Sequence, residues 1–357
     1  MLAALASGYH GPPELTFARA FTSWRLDPWT LTAVALLGAA YLLGARRVRA
    51  RGTPWPRGRT LAFCGLGLGF AVIATMSSIG VYQPVLFYVR SVQTILLLLV
   101  VPLFVALGRP LSLVIATVPR LGRRLEEVIG SRAARVLTFP LITTLVLVVT
   151  PFLVYFTPWY AAGFRSGLIA QLTHLALLVP GFVFFWTLLR VDPVPKAYPY
   201  VVALWITAAE VIGDAILGIA VIADTNLIAG PYYQALGRPW GPSLATSQVI
   251  GGGVLWILGD IVGLPFLAAQ LIQMIREDEA EAKVVDADLD AAEAARTAVV
   301  RSEPTQAEAA VASQAVQAGA AEAGAAQAGA AQTATQRPWW ETDRRFADRF
   351  RAVDDPD

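Results

Sequence analysis

The chain has 357 residues, 56% of them hydrophobic, with a mean hydropathy of +0.56, well above the roughly 45 to 50% apolar content of an ordinary soluble domain. That composition excludes a water-soluble globular protein and reads as a membrane protein. The formal net charge of +2 excludes nothing as a sum, because in a membrane protein it is the placing of the arginines that carries information.

Residues 1–8 are short, apolar and without a basic n-region, so the first true span is expected to act as an uncleaved insertion signal. A helix needs about 20 apolar residues to cross roughly 30 Å of hydrocarbon. About seven stretches approach or meet this, at residues 29–45, 60–82, 84–108, 136–158, 167–189, 199–224 and 249–275, the first being the shortest. The expected fold class is therefore an all-α, polytopic membrane protein with about seven transmembrane helices.

Residues 46–59, RRVRARGTPWPRGR, and residues 109–135, with RLGRR at 120–124, hold much of the arginine. The positive-inside rule makes both connections cytoplasmic. The N-terminus is then outside and the C-terminus cytoplasmic, and the connection RVDPVPKAYP at 190–199 also falls inside, in keeping with Arg190 and Lys196. The stretch 111–135 reads either as an amphipathic helix on the inner leaflet or as a solvated basic connector. The outer connection 225–243, rich in Gly, Pro and aromatics, reads as an ordered cap at the interface.

After Ile275 the composition changes to REDEAEAK and then to repeats such as AAEAGAAQAGAA. Small side chains offer little to bury, so this tail is expected to be disordered or at best transiently helical. Near its end RPWWETDRRFADRF, residues 337–350, carries Trp339, Trp340, Phe346 and Phe350 on a short charged segment suited to docking a protein partner or the membrane surface. The expected organisation is an extracytoplasmic segment at 1–28, a seven-span domain at 29–276, and a cytoplasmic Ala/Glu/Gln-rich tail at 277–357.

Polar side chains inside the spans need a partner or a purpose, because a charge near the bilayer centre costs at least about 2.5 kcal/mol. Arg90 and Gln93 lie early in the third span, Gln171 and His174 in the fifth, Glu210 and Asp214 in the sixth, Gln248 at the mouth of the seventh and Asp260 within it. Glu210 and Asp214, four apart, share one helix face. With the orientation above, Arg90, His174 and Asp214 fall at middle to outer depth, and the expectation is a shared polar pocket in which Asp214 neutralises Arg90. A buried ion pair that locks helix packing and an outward-facing site for a metal, a proton or a small ligand are both compatible with this pattern.

Donor supply limits metal chemistry. His10 and His174 are the two histidines, and Cys64 is the single cysteine, near the opposite end of the second span from Met76. One cysteine also rules out an internal disulfide framework and any Cys-x-x-Cys motif. GGGVLWILGD at 251–260 follows no strand and is too apolar for a phosphate loop, so its glycines read as close helix packing. No catalytic triad, zinc-protease motif or basic-aromatic interleaving for nucleic acid is present, and the chain reads as a non-enzyme that binds no nucleic acid.

YVRSVQTILLLLVVPLFVALGRP at 88–110, HLALLVPGFVFFWTLLRVDP at 174–193, GDAILGIAVI at 213–222, QVIGGGVLW at 248–256 and PWWETD at 338–343 occur in this order. Together they resemble the CtaG-type cytochrome c oxidase assembly family of bacterial membrane proteins, in an actinobacterial-like form, over most of residues 29–279. The resemblance implies a multi-pass protein of the bacterial plasma membrane that helps assemble a haem-copper oxidase. It implies copper as what the family delivers, and oxidase subunits or other assembly factors as partners. Where the family pattern carries paired histidines in the third span this chain has Arg90 and Thr94; Ala170 precedes the retained His174, Asp214 stands where a histidine is expected, and Ser247 stands where an Asp is usual. His174 is thus the candidate metal ligand. The alternatives are a transporter with a proton or cation path through Glu210, Asp214, His174 and Asp260, and a structural membrane scaffold whose tail recruits a partner.

Overall fold

A computed structural model describes residues 8–196 and 198–317, and no strand occurs among the described residues. After a short α1 (Phe17–Thr22), α2 (Pro28–Ala50) begins where Asp27 caps it and Pro28 supplies a first-turn residue with no N–H to satisfy. α3 (Arg57–Tyr82) and α4 (Phe87–Leu107) follow, each with a wider π turn, at Leu61–Gly67 and Leu96–Val100. Three shorter helices, α5 (Pro110–Thr117), α6 (Pro119–Gly130) and α7 (Arg132–Leu137), lead to α8 (Pro140–Phe156) and α9 (Trp159–Arg165), which are bent by 68° relative to one another. The series closes with α10 (Gly167–Leu189), α11 (Tyr200–Ala223), α12 (Gly230–Leu236) and α13 (Leu244–Gln317). Among the described residues six helices are long and apolar enough to cross a membrane, and up to seven if the bent α8–α9 pair is one span. The fourth expected span, 136–158, is held by α8 and ends at the bend, where Thr157 and Pro158 separate it from α9.

Packing centres on α4. Leu97, Leu98 and Leu99 are almost fully buried, and Leu147, Leu177, Phe184 and Phe185 close around them. Pro102 has no N–H to give the carbonyl of Leu98 four residues back. Gly181 of α10 lies directly against that carbonyl, and a Cβ there would collide with it. Helix association in lipid rests on such close contact, because burial of apolar surface adds little when the solvent is itself apolar. The glycine seam of α13 works the same way: a Cβ on Gly252 would lie 2.7 Å from the Gly218 carbonyl of α11, and one on Gly251 would strike Phe87.

The two arginine-rich connections meet at one end of this unit. Arg51 Nη1 donates to the Ala116 carbonyl at 2.8 Å, and Asp192, beyond α10, accepts from the Leu111 and Ser112 amides at 3.1 and 2.9 Å. Residues 111–135 are helical except at the breaks Val118 and Ser131, with Gly122 and Ile129 of α6 buried and Arg120, Arg123 and Arg124 exposed. At the other end the 225–243 connection is ordered around α12, whose Tyr233 hydroxyl pairs with that of Tyr160 at 2.8 Å.

By contacts the chain forms two units, Met1–Ala280 and Glu281–Asp357. In the second, residues 281–317 are helical and residues 281–298 are exposed, where the composition leads one to expect a segment disordered or at best transiently helical. Ala, Glu and Arg are strong helix formers, so local propensity sustains a helix whose residues 281–298 bury nothing. The aromatic motif at 337–350 lies outside the described residues.

Candidate functional site

Hydrogen bonds gather the intramembrane polar residues into separate groups instead of one pocket. Arg90 on the first turns of α4 is 3% exposed, and its Nη1 donates to Gln83 Oε1 at 2.9 Å and Gln93 Oε1 at 2.8 Å. Gln93 passes the polarity on, its Nε2 donating to the Ala74 carbonyl of α3 at 2.7 Å. The bend between α8 and α9 lays aromatic rings over the cation, with the guanidinium carbon 5.4 Å from the Phe164 centroid and 5.9 Å from that of Tyr160. Ring faces and amide oxygens thus hold the charge, a cation–π arrangement that strengthens when desolvated. The expected Arg90–Asp214 ion pair is not formed. Thr94, one turn on, donates to the Arg90 carbonyl at 3.0 Å and pairs with the buried Tyr155 hydroxyl at 3.0 Å.

Asp214 belongs to a second group, between α11 and α13. Glu210, 2% exposed, and Asp214, 3% exposed, face a stretch of α13 that includes Asp260, Gly259 and Gly263. Gly259 leaves the room that Asp214 Oδ2 occupies, and a Cβ on Gly263 would lie 3.2 Å from Glu210 Oε2. Asp214 Oδ2 and Asp260 Oδ1 are buried without a hydrogen-bond partner. Two turns along, Thr207 Oγ1 donates to Gln270 Oε1 at 2.9 Å and continues the polar seam.

Gln248 stands apart from both as a structural staple. Its Oε1 accepts from the Ile228 amide at 2.8 Å, and its Nε2 donates to the carbonyls of Asn226 and Asp224 at 3.1 and 3.2 Å, tying the α11–α12 connection to the start of α13.

The remaining pair, Gln171 and His174 on α10, meets a residue that sequence reasoning passed over. Asp27, 5% exposed, caps α2 by accepting from the Trp29 amide at 3.2 Å and also accepts from Thr30 Oγ1 at 2.8 Å and Gln171 Nε2 at 2.9 Å. Burial alone would raise its carboxyl; the hydrogen bonds from Gln171 and then Thr30 and the backbone outweigh this and hold it below the usual value. Since a carboxylate only accepts, the Gln171 amide must present Nε2 to Asp27 and Oε1 to His174, whose Nδ1 lies 3.3 Å away. The sequence signal was an Asp-Pro pair directly before an apolar run, a helix-start signature that spoke for capping.

His174 lines a cavity of about 460 Å³ bounded by α2, α3, α4 and α10, with Leu37, Leu97, Leu178 and Phe182 among its apolar walls. His10 lines a different hollow, beside Tyr9 and Tyr232, and Cys64 a third. Among the described residues no group of three or more His, Cys, Asp or Glu side chains is placed to hold a metal ion.

Comparison with known proteins identifies the frame that carries these groups. The family model described as cytochrome c oxidase caa3 assembly factor matches residues 39–277. Uncharacterized proteins of Mycobacterium bovis and Mycobacterium tuberculosis are each 28% identical to this chain over 292 residues, and one of Mycobacterium leprae is 27% identical over 295. Those alignments cover 80% of this chain but only 44 to 45% of the relatives, so the chain spans less than half the length of the curated proteins it matches. No solved structure matches. The family match covers about two thirds of the chain and all but the first part of its membrane unit, and the chain belongs to the cytochrome c oxidase caa3 assembly factor family.

Proposed function

We propose that this chain acts in the bacterial plasma membrane as a non-catalytic assembly factor for a haem-copper oxidase, with its N-terminus outside and its C-terminus in the cytoplasm. The observation that carries the role is the family match over residues 39–277. The orientation is supported by the meeting of the arginine-rich connections at one end, where Arg51 reaches Ala116 and Asp192 holds the start of α5. Copper fits this chain poorly as a resident metal: a copper site wants several soft or imidazole donors at close quarters, and His174 has no second donor of that kind among the residues lining its cavity. Arg90 and Thr94 occupy positions where the family pattern has histidines, and their hydrogen bonds are spent on Gln83, Gln93 and Tyr155. The role proposed is accordingly that of a scaffold which binds oxidase subunits or other assembly factors, with any copper ligands completed by a partner.

Deleting the gene and measuring assembled oxidase in membranes by haem absorbance tests this. Loss restored by the full chain is the expected result; unchanged oxidase content and activity would refute it.

A second reading rests on the Glu210, Asp214 and Asp260 group, whose unpartnered carboxylate oxygens suit a proton or cation path through α11 and α13. Proton flux in reconstituted vesicles, abolished by Asp214→Asn, would establish it, and flux unchanged by that substitution would dismiss it. A scaffold acting through its tail predicts co-purification that depends on Trp339 and Trp340.

A further inference from the structure

The hollow between α2 and α10 has the form of a ligand slot open along one side, where Trp29, Leu37, Leu175 and Val179 are exposed. Its α10 wall runs from Gln171 to Phe182, about 17 Å at a rise of 1.5 Å per residue, or roughly half the hydrocarbon thickness. Polar groups collect at one end, where Gln171 and His174 stand beside Thr30, and the walls below them are apolar. No Asp, Glu, Lys or Arg lines it. Pockets of this size with apolar walls and a few convergent polar groups are the common form of small-molecule sites.

The polar end is set up to accept a hydrogen. Asp27 fixes the Gln171 amide, and Gln171 Oε1 takes the Nδ1 hydrogen of His174. In the neutral ring, Nε2 then carries a lone pair. His174 Nε2 makes no hydrogen bond within the protein, and the ring lines the slot. The occupant that matches both ends brings a hydrogen-bond donor and an apolar body about as long as the slot. A phospholipid could lay only an acyl chain here and would leave His174 Nε2 unmatched, because no cation lines the slot to hold its phosphate there. A flat hydroxylated ring finds the Trp29 side chain at the polar end, and an unsaturated chain finds Leu97, Leu178 and Phe182 beyond it.

We infer that the slot between α2 and α10 is a binding site for an isoprenoid quinol, with a ring hydroxyl donating to His174 Nε2 and the isoprenoid tail lying along α10. Binding involves no covalent or redox step, and it does not depend on the assembly role, so failure of either leaves the other standing.

The test uses the full chain in detergent micelles, titrated with a naphthoquinol bearing two isoprene units and followed by the fluorescence of the quinol. Saturable binding of one quinol per chain is expected. His174→Ala should weaken it about tenfold, the equivalent of one hydrogen bond. His174→Gln, which keeps an acceptor, should retain most of the affinity, and Leu178→Trp, which fills the slot without touching Asp27 or Gln171, should abolish it. Melting curves matching the parent chain confirm that each variant is folded; if the tryptophan variant is not, Leu178→Phe replaces it. Linear uptake equal in all variants would mean partition into the micelle and would overturn the inference. So would displacement of the quinol by equimolar dioleoylglycerol or phosphatidylglycerol, or saturable binding unaffected by both the His174 and Leu178 substitutions.

Discussion

Replacing Asp27 by alanine removes the clamp between α2 and α10. The lost cap on the Trp29 amide is worth about 1 kcal/mol, and the Gln171 amide, left beside apolar surface without its acceptor, adds about 1 to 2 kcal/mol. The expected destabilisation is about 2 to 3 kcal/mol, measured by reversible unfolding in mixed micelles with sodium dodecyl sulfate. Asp27→Asn keeps one acceptor oxygen and should cost less. Acid dependence follows from the hydrogen bonds that hold the folded carboxyl below its ordinary value of 3.8. A group whose folded value is depressed contributes stability that is complete above the unfolded value and is lost as pH falls through the folded one. The parent chain should therefore lose this contribution below about pH 3.8, whereas Asp27→Asn, having no carboxyl there, should lack that component. A double-mutant cycle with Gln171→Ala isolates the clamp. Coupling below about 0.5 kcal/mol, or an alanine variant as stable as the parent, would refute the reasoning.

Other substitutions test the remaining groups. A cycle between Arg90→Ala and Gln93→Ala should show coupling of about 1 kcal/mol or more, and one between Arg90→Ala and Asp214→Ala should show additivity, since Arg90 hydrogen-bonds to Gln83 and Gln93. Gly181→Ala should cost at least about 2 kcal/mol by forcing α10 off the Leu98 carbonyl, while Gly253→Ala, with open space where the methyl would sit, should be within about 0.5 kcal/mol of the parent; the same unfolding assay reads both. Asp192→Ala should cost about 2 kcal/mol and raise protease cleavage in residues 109–135, because it strands the Leu111 and Ser112 amides at the start of α5.

Much of the architecture was legible because hydropathy reports directly on the solvent. A span must satisfy its own backbone and present apolar side chains to lipid, so each expected apolar stretch holds an observed helix, α8 in the fourth, with α9 beyond its end and α13 running on well past the seventh. The sharp bend at Thr157 and Pro158, and the short α9 beyond it, were not legible, since WYAAGFR reads as the loop after a span and not as a helix turned back on it. The glycine packing of α13 was readable as small residues in an apolar run, but its partners, Gly218 and Phe87, were not.

The sequence by itself determined which polar residues lie within or at the mouths of the spans, because an Arg, Asp or Glu inside an apolar run stands out whatever the fold. Only the tertiary structure decided what each one meets. Partner choice depends on the rotation and depth of every helix, and two of the decisive partners, Gln83 and Asp27, lie outside the spans, in the turn before α4 and at the cap of α2. Arg90 consequently rests on neutral amides and aromatic rings, Asp214 faces other carboxylates, and His174 turns toward a slot whose far wall is the least buried of the candidate spans.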